Sequence, residues 1–494
     1  MKSCAPMLVV RPETSRALGA FWRNLGHTMV TTYGQAHGLE VDMADLSFDQ
    51  LSDKIGPDTR AAVFSLYIDD FDRGIAIARD LKASHPGITT FVGGPHATMV
   101  GGQDVLRVTD AFDYVGVGDC LPEAMPIIAE ACRGRSLPEN RVITGSTFDA
   151  RMDSLSPDYA IWGADRYFPL FPVEFSRGCR QRCPFCTDPV LRRGLAVDPV
   201  ERTMRTVEGL VRRHGPICVR FVDSSLSSLG SDLDVLLDAL ITANLPVTWS
   251  AFAYPHDMTL DLASRMAAAG CRAVFMGIET MAQGVRTGKH HTKHPEEIAR
   301  SVEVLHANGI FVHGNFIIGL PGETPDTVSE TLDGLRTVQF DSVGGGPFYL
   351  APGSTFARRP SKFGIDVFDP EWQLRAHQNF YEPIPYFRTA TLTQLEMREL
   401  ATRFQKEVED SQLGCWNLSD FAVLCWLSIG GDINDLKRLW SARRSDLSDD
   451  ARHVMDVLKE RSTEASSSEC RAEDFVALAT RVAHVQSVQQ SHST

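Results

Sequence analysis

Short apolar runs alternate with longer amphipathic stretches over roughly the first 130 residues of the chain. The apolar runs are four to seven residues long and rich in Val, Ala and Phe, which is typical of buried parallel strands. Crossover helices fit between them, so the pattern predicts a doubly wound α/β domain. The predicted strands are Met7–Val10, Leu39–Met43, Ala61–Tyr67, Thr89–Val92 and Tyr114–Val117, and the predicted helices are Ala17–Gly34, Phe71–Ser84 and Glu123–Arg133.

The same alternation resumes after a polar, turn-rich segment and continues to about residue 362. Six strands joined by helices such as Pro295–Ala307 predict a partial (β/α)6 barrel of the TIM type, and function collects at the carboxyl-end loops of such barrels. The predicted strands are Phe171–Phe175, Val219–Asp223, Val247–Ala251, Ala273–Met276, Val312–Ile318 and Ser342–Leu350.

From Phe363 onward the pattern predicts a small helical domain. The predicted helices are Trp372–Tyr381, Leu392–Asp410, Leu418–Leu427, Ile433–Arg444 and Ala451–Arg461, with a linker at Ser462–Glu469 and a frayed tail at Gln489–Thr494. The aromatic residues Trp372, Phe380, Tyr381, Tyr386 and Phe387 could cover the barrel mouth, although most are expected in the core. The predicted units are therefore 1–140, a linker 141–170, the barrel 171–362, and 363–494, which is the region expected to contact the substrate.

Composition narrows the possible functions. The chain has 494 residues, a net charge of −14 and no evident basic face, which argues against a nucleic-acid partner. No apolar run approaches the length of a membrane span. Eleven cysteines without a signal peptide indicate a reducing compartment, and we expect a cytoplasmic protein.

Three of the cysteines, Cys179, Cys183 and Cys186, lie in one loop with the spacing C-x3-C-x2-C. The loop follows a predicted strand, so three thiolates can surround one soft metal centre. On a four-iron cluster, three cysteines leave one iron free for a small-molecule ligand. The alternatives are a structural zinc site, which usually has four ligands, and three unrelated core cysteines.

The loop Ser176–Cys186, with the aromatic Phe185 before its third cysteine, resembles the cluster loop of radical S-adenosylmethionine (SAM) enzymes. The resemblance implies a [4Fe–4S] cluster and SAM as cofactors. It also implies that Glu279 contacts the ribose of SAM and Ile317 the adenine. The SAM contacts implied by the resemblance are Phe185, Asp223, Ser225, Glu279, Ile317 and Gly319. A helix-start charge at Glu279 and a core position for Ile317 are the alternative interpretations.

The first predicted domain has glycines where its strands end, and glycines there let a backbone approach a bulky ligand. Phe91–Ala97 and Asp113–Glu123 resemble the cobalamin-binding domain of one large subgroup of radical SAM enzymes. The cobalamin contacts implied are Ser65, Gly93, Gly94, Gly116 and Gly118. None of the fifteen histidines follows an Asp by two positions, so the D-x-H-x-x-G cobalt-ligating signature is absent. The resemblance then implies cobalamin without a histidine below cobalt, and His96 is interpreted as a loop residue. A vestigial cofactor site is the alternative.

A basic, histidine-rich run precedes the helix that begins at Pro295. It consists of Lys289, His290, His291, Lys293 and His294. We interpret it as a solvated loop instead of a metal site. The family resemblance allows Lys293 to face the active site.

The resemblance implies the chemistry of the subgroup. SAM is cleaved at the cluster to a 5′-deoxyadenosyl radical, and methylcobalamin gives a methyl group to carbon or phosphorus. The expected substrate is a small-molecule or peptide natural-product intermediate, and the expected electron donor is a flavodoxin or ferredoxin. Cobalamin-dependent cyclisation or rearrangement is the alternative reaction, and a cobalamin or redox sensor is the alternative from another class.

Overall fold

The computed structural model of the chain describes residues 5–13, 21–145, 155–163, 166–192, 194–285, 294–375, 377, 385–459 and 472–491. The strands are β1 (Met7–Arg11), β2 (Val41–Asp45), β3 (Ala61–Ser65), β4 (Thr89–Gly93), β5 (Tyr114–Val117), β6 (Val142–Thr144), β7 (Leu170–Val173), β8 (Ser176–Gly178), β9 (Leu195–Val197), β10 (Ile217–Phe221), β11 (Val247–Ala253), β12 (Cys271–Glu279), β13 (Phe311–Ile318), β14 (Ser342–Pro347), β15 (Ile365–Val367), β16 (Phe387–Thr389) and β17 (Cys415–Trp416). The α-helices within the described residues are α1 (Leu25–Ala36), α2 (Phe71–Ser84), α3 (Pro95–Val100), α4 (Gly102–Val108), α5 (Leu121–Cys132), α6 (Asp188–Leu191), α7 (Val200–His214), α8 (Ser231–Ala243), α9 (Leu260–Ala268), α10 (Pro295–His306), α11 (Pro325–Leu335), α12 (Thr355–Arg358), α13 (Gln394–Asp410), α14 (Asp420–Ser428), α15 (Ile433–Ser441), α16 (Asp449–Leu458) and α17 (Ala472–Ser491).

The amino-terminal sheet has the strand order β2-β1-β3-β4-β5-β6, and all its neighbouring strands are parallel. Strands β1 and β3 are buried along their whole length, as expected for a sheet covered by helices on both faces. The strand order reverses between β1 and β3. In doubly wound sheets the ligand binds at such a switch point, beyond the carboxyl ends of the strands. The predicted doubly wound fold is confirmed.

This sheet is one strand larger than the sequence pattern predicts. Strand β6 pairs in parallel with β5, whereas the sequence analysis placed Val142–Thr144 in the connecting segment. Three residues are too few for a hydrophobic period to be recognised. Helix α1 begins at Leu25, where the Asn24 side chain accepts a hydrogen bond from the His27 N–H at 3.1 Å.

The central sheet has the strand order β17-β14-β13-β12-β11-β10-β7 and is also entirely parallel. The six predicted strands are present, which confirms the partial barrel. Strand β17 was not predicted, and it adds a short seventh strand from the carboxy-terminal region. Strands β8 and β9 form a separate antiparallel ribbon on either side of the cysteine loop.

The register of the barrel strands stacks their inward side chains in layers, as in other barrels. One layer is formed by register neighbours on four adjacent strands, namely Phe252, Phe275, His313 and Ser342. The next layer towards the carboxyl ends contains Gly277, Asn315 and Gly344, which are again register neighbours. Asn315 therefore stands between two glycines on the adjacent strands.

The carboxy-terminal helices close the amino ends of the barrel strands. Helix α14 packs against β10, β11 and β12. Leu424 and Trp426 of this helix share a buried core with Leu170, Cys218 and Phe311, which lie near the starts of their strands. Helix α14, part of the region expected to cap the barrel mouth, thus supplies the floor at the opposite end.

Two predictions for this region need correction. Residues 489–491 were expected in a frayed tail but belong to α17. The segment Trp372–Tyr381 was expected to be one α-helix, but it begins with a short 3-10 turn, Trp372–Arg375, and His377 is the described residue that is α-helical. Trp372, Tyr386 and Phe387 are buried in the core, as expected for most of these aromatics, whereas Phe380 and Tyr381 lie outside the described residues.

Two glycines of β14 differ in the space that surrounds them, and this difference can be tested. A Cβ at Gly344 would lie 2.8 Å from both His313 Cε1 and Nε2, whereas a Cβ at Gly346 would meet nothing within 4 Å. We expect Gly344→Ala to lower the free energy of unfolding by about 1–3 kcal/mol, because the buried imidazole has to move. The matched change Gly346→Ala should stay within about 0.5 kcal/mol of the unmodified protein. Urea unfolding of both variants checks this, and equal effects would contradict the packing argument.

Candidate active site

The cysteine loop is anchored at its start by a buried carboxylate. Asp223 Oδ1 accepts a hydrogen bond from Ser176 Oγ at 2.6 Å, and Oδ2 accepts one from the Phe175 N–H at 3.1 Å. Burial raises the pKa of Asp223 to about 7. A Cβ at Gly178, which has a φ of +83°, would collide with the backbone of Gly194, so only glycine fits there. Asp223 and Gly178 together fix where Cys179 leaves the ribbon.

The three thiols lie in surroundings that suit iron–sulfur ligation. Cys179 Sγ accepts a hydrogen bond from the Gln181 N–H at 3.3 Å, and Cys186 Sγ accepts one from the Asp188 N–H at 3.4 Å. Cys183 Sγ lies 3.5 Å from Tyr254 Oη. Hydrogen bonds to the sulfurs are among the features that tune such clusters. Burial raises the pKa of Cys183 to about 11 and that of Cys186 to about 12, so metal binding here displaces protons.

Within the described ranges, no three His, Cys, Asp or Glu side chains converge closely enough to hold one metal ion. A four-iron cluster does not require such convergence, because each cysteine binds a different iron. The loop geometry, the three thiols outside any disulfide and the backbone N–H donors therefore fit a cluster.

Glu279 extends the site at the end of β12. It is 9% exposed and has a φ of +63°, a backbone conformation that a non-glycine residue adopts at a cost. Burial alone raises the pKa of Glu279 to about 8. Its charge also disfavours ionisation of Cys183 and Tyr254, which places all three groups together. Tyr254 was not predicted from the sequence. It directly follows β11, and functional residues are expected just beyond the carboxyl ends of barrel strands.

The other predicted SAM contacts lie on barrel loops, apart from Ile317, which lies in β13. Some of them have structural partners of their own. Ser225 Oγ lies 2.7 Å from Ser228 Oγ, which donates to Asp257. Gly319 has a φ of +98°, and a Cβ there would meet Met397 of α13 at 2.4 Å, so close helix packing already requires this glycine. Ile317 and Phe185 are partly buried and pack against the core. Their contacts with SAM stay predictions.

The carboxyl end of the first sheet presents Tyr67 at the switch point. Tyr67 follows Ser65, the last residue of β3, and 43% of its surface is exposed. Burial by the surrounding protein nevertheless raises its pKa. In doubly wound sheets the ligand cleft lies beyond the strand ends at such a switch point. Gly118, which follows β5 and has a φ of +73°, has open space at its Cβ position on the same side of the sheet.

The other glycines predicted to contact cobalamin have mixed roles. A Cβ at Gly94 would lie 2.7 Å from the backbone of Leu66, and a Cβ at Gly116 would lie 2.4 Å from Cys120 Sγ. Both residues are therefore required by packing inside the domain. The nearest atom to a Cβ at Gly93 is 3.8 Å away. Gly93 and Gly118 leave the most room for a ligand.

The cleft faces the cysteine loop. Helix α3, which follows β4, contacts α6, which follows the loop. The carboxylate of Asp119, beyond β5, lies 3.8 Å from the guanidinium of Arg177 in β8. A Cβ at Gly353 would touch both Val190 of α6 and the backbone of Met99 in α3. The carboxyl ends of the two parallel sheets thus point towards each other.

His96 is not the loop residue that the sequence predicts. It lies in α3, is 1% exposed, and its ring centroid is 4.4 Å from that of Phe71 and 5.5 Å from that of His377. Burial lowers the pKa of His96 to about 3, so the imidazole is neutral. It packs between the first domain and the carboxy-terminal region.

Asp70, beside the cleft, makes stability depend on pH. Its Oδ1 accepts a hydrogen bond from the Tyr67 N–H at 2.7 Å, and burial followed by the charge of Asp69 raises its pKa to about 7. The pKa of an unfolded Asp is about 3.9. Between this pKa and that of folded Asp70, the folded protein binds more protons than the unfolded chain, so its stability falls as the pH rises. We expect Asp70→Asn to remove on the order of 1 kcal/mol of this loss.

Urea unfolding of the cofactor-free protein at about pH 5 and about pH 8 measures this effect. Asp110→Asn changes a carboxylate whose side chain is 93% exposed and serves as the matched control. If Asp70→Asn and Asp110→Asn had the same pH dependence, the assignment to Asp70 would be wrong.

The predicted basic run falls almost entirely outside the described residues. This applies to Lys289, His290, His291 and Lys293, and therefore to the predicted orientation of Lys293. His294 is described and is exposed at the start of α10.

Comparison with known protein families decides the identity of the barrel. Residues 173–335 match the profile of the Radical SAM superfamily, from the end of β7 through the cysteine loop to the end of α11. These residues form a radical SAM domain. The domain class uses a [4Fe–4S] cluster and SAM, and the family resemblance stated from the loop motif is confirmed. The individual contact residues remain predictions.

The chain is also similar to curated proteins, among them a cyclase and a methylthiotransferase. It is 25% identical over 368 residues to the anaerobic magnesium-protoporphyrin IX monomethyl ester cyclase of Rubrivivax gelatinosus, covering 69% of this chain and 64% of the cyclase. It is 27% identical over 216 residues to the ribosomal protein uS12 methylthiotransferase RimO of Chloroflexus aurantiacus, covering 41% of this chain and 47% of RimO. The chain thus spans less than two thirds of the length of both relatives.

Solved structures with the same fold extend beyond the radical SAM domain. The radical SAM methyltransferase TsrM from Kitasatospora setae, with cobalamin and a [4Fe–4S] cluster bound, has a TM-score of 0.67, 15% identity, and coverage of 92% of this chain and 98% of TsrM. The cobalamin-dependent SAM radical enzyme OxsB, with aqua-cobalamin and SAM bound, has a TM-score of 0.59, 13% identity, and coverage of 99% and 80%. At these identities the likeness shows a shared fold.

No helix among the described residues combines the length and low charge that a membrane span requires.

Proposed function

We propose that the protein is a cobalamin-dependent radical SAM enzyme that methylates an unactivated carbon or phosphorus of a small-molecule or peptide natural-product intermediate. One observation carries the proposal: the ligand cleft of the first sheet faces the cysteine loop, with Asp119 and Arg177 linking their edges. A corrin held in that cleft would lie directly opposite SAM. The shared fold with TsrM and OxsB supports the same arrangement.

The chain's own residues bind and orient the cofactors. Cys179, Cys183 and Cys186 would hold the cluster, and Asp223 fixes the start of their loop. The buried Glu279 carboxyl group, which interacts electrostatically with Cys183, would accept hydrogen bonds from the SAM ribose. With cofactors bound, the site would supply a 5′-deoxyadenosyl radical from SAM and a methyl group from methylcobalamin. Tyr67 and Gly118 would line the corrin cleft.

Product analysis after anaerobic reconstitution and reduction tests the proposal. Methyl transfer consumes SAM in two ways, so 5′-deoxyadenosine with methionine and S-adenosylhomocysteine should all form. Hydroxocobalamin should bind at one per chain, and Tyr67→Ala should weaken this binding while Asp110→Ala leaves it unchanged. Absence of both adenosyl products would reject enzymatic function and leave a sensor.

A second reaction is favoured by one specific observation. The relative with 69% coverage of this chain is named a cyclase, which points to ring closure without methyl transfer. Formation of 5′-deoxyadenosine without S-adenosylhomocysteine would support cyclisation or rearrangement. The product test therefore separates the two candidates in one measurement.

The proposed partners follow from this chemistry. The radical SAM domain requires a substrate and an electron donor, for which we propose a flavodoxin or ferredoxin. The net charge of −14 supports a small-molecule or peptide substrate in preference to nucleic acid. The name of the methylthiotransferase relative refers to a ribosomal protein, which supports a peptide as one possible substrate class.

A further inference from the structure

One cysteine of the loop is contacted by a side chain that follows a different barrel strand. Cys183 Sγ lies 3.5 Å from the hydroxyl oxygen of Tyr254, which directly follows β11. Cys183 is buried, with 8% of its surface exposed, whereas Cys179 and Cys186 are partly buried. The sulfurs of Cys179 and Cys186 accept hydrogen bonds from backbone N–H groups two residues further along the loop. The surroundings of Cys183 therefore depend on a residue outside the loop.

The chemistry of a cluster ligand fixes the direction of this contact. In the thiol form, either the sulfur or the hydroxyl group could donate, but a cysteine that binds iron does so as a thiolate and has no proton. A tyrosine hydroxyl group has an ordinary pKa of about 10 and keeps its proton near neutral pH. Tyr254 is then the donor and Cys183 Sγ the acceptor.

Contacts with two neighbouring segments hold the backbone around Tyr254. Its N–H donates to Ser227 Oγ at 2.8 Å, and Ser227 Oγ donates in turn to Asp257 Oδ2 at 2.8 Å. Ser301 Oγ, in α10, lies 2.7 Å from the carbonyl oxygen of Pro255, the next residue. None of these contacts uses the Tyr254 hydroxyl group. Replacement of Tyr254 by Phe therefore removes the donor and leaves these backbone contacts intact.

A hydrogen-bond donor beside a buried thiolate favours the reduced state of a cluster. Reduction adds one negative charge, and a hydroxyl dipole directed at the sulfur stabilises this added charge. Hydrogen bonds to the sulfurs are among the features that set the reduction potential of iron–sulfur clusters. The effect is stronger at a buried sulfur, because the local dielectric constant is low. Cys183 meets this condition.

We propose that Tyr254 raises the reduction potential of the iron–sulfur cluster by donating a hydrogen bond to Cys183 Sγ. Tyr254 acts through the cysteine and is a positioning residue. This role goes beyond the proposed function, because it requires the cluster of the radical SAM domain and neither cobalamin nor a particular substrate. Without the hydroxyl group, the same electron donor would reduce a smaller fraction of the protein.

Redox titration of the reconstituted full chain, followed by electron paramagnetic resonance, tests the proposal. We expect Tyr254→Phe to bind as much iron and sulfide as the unmodified protein and to have a lower midpoint potential. At the midpoint potential of the unmodified protein, the ratio of reduced to oxidised cluster should fall about tenfold, which corresponds to about 59 mV for a one-electron couple. Loss of the cluster from Tyr254→Phe would show that the hydroxyl group has a structural role and would overturn the proposal.

Tyr114→Phe is the matched control. Tyr114 lies in β5 of the first sheet, and its hydroxyl group donates to the Pro138 carbonyl at 2.6 Å, so this variant also loses one tyrosine hydrogen bond. It should keep the midpoint potential of the unmodified protein. An unchanged potential in Tyr254→Phe, or an equal shift in both variants, would contradict the assignment to Tyr254.

Electron–nuclear double resonance of the reduced cluster in D2O detects the hydrogen bond itself. The unmodified protein and Tyr114→Phe should both show coupling to an exchangeable deuteron that Tyr254→Phe lacks. A shift of the potential without loss of this coupling would assign the shift to altered solvent access and would reject the donor role.

These measurements are independent of the reaction that the enzyme performs. If the potential shifts as expected but no cobalamin binds, the proposed function is rejected and the role of Tyr254 stands. If cobalamin binds and the products of methyl transfer form while the potential of Tyr254→Phe is unchanged, only the role of Tyr254 is rejected.

Discussion

Cys183→Ala is expected to lose the iron–sulfur chromophore and at least about a thousandfold of SAM cleavage, while the barrel stays folded. Cys183 lies in a loop, and its thiol contacts the Tyr254 hydroxyl group. The ribbon before the loop is held by Asp223, which the substitution leaves untouched. Two cysteines cannot hold a cluster that normally needs three or more protein thiolates.

Iron and sulfide content, the absorption spectrum and 5′-deoxyadenosine formation measure this effect. Cys132→Ala is the matched control, since that thiol lies 3.6 Å from the Pro6 carbonyl in the first domain. The control should keep full iron content, and both variants should retain the circular dichroism of the unmodified protein. A Cys183→Ala protein with normal iron content would contradict the assignment of the loop.

Asp420→Ala is expected to give the largest loss of stability, about 3–5 kcal/mol, because it leaves the buried charge of Arg220 unpaired. Arg220 is 3% exposed, and its ion pair with Asp420 joins β10 to the first turn of α14. Burial lowers the pKa of Arg220, whereas the charge of Asp420 raises it. Urea unfolding followed by tryptophan fluorescence measures the change.

The double variant Arg220→Met with Asp420→Leu tests the cause. Replacing both charges by apolar groups of similar volume should recover most of the lost stability, since neither leaves a buried charge behind. Asp449→Ala, also in the first turn of a carboxy-terminal helix but 94% exposed at its side chain, should change stability by less than about 1 kcal/mol. Equal effects of Asp420→Ala and Asp449→Ala would refute the role of the ion pair.

The sequence was sufficient to predict both sheets and the cysteine loop, because these depend on local patterns. Buried strands such as β3 and amphipathic helices such as α2 carry their periodicity within a few residues. The three cysteines lie within one loop, so their proximity needs no knowledge of the fold.

What the sequence did not reveal depends on contacts between distant segments. Strand β6 is recognisable only by its pairing with β5, since three residues show no period. The ion pair between Arg220 and Asp420 joins positions 200 residues apart, and nothing local to either marks it as buried. Likewise, the buried His313 ring contacts Ser342 Oγ, which donates to the Leu418 carbonyl. Parallel strands bring such partners together only after folding.

The two ends of the barrel strands contact different parts of the chain. The loops at the carboxyl ends carry the three cysteines, whereas the layers at the amino ends pack against α14. Substitutions in α14 can alter the barrel interior at the amino ends of the strands without moving the cysteine loop. An ancestral enzyme with this architecture could therefore acquire new acceptor molecules by remodelling its carboxy-terminal helices, and its radical-generating end would be inherited unchanged.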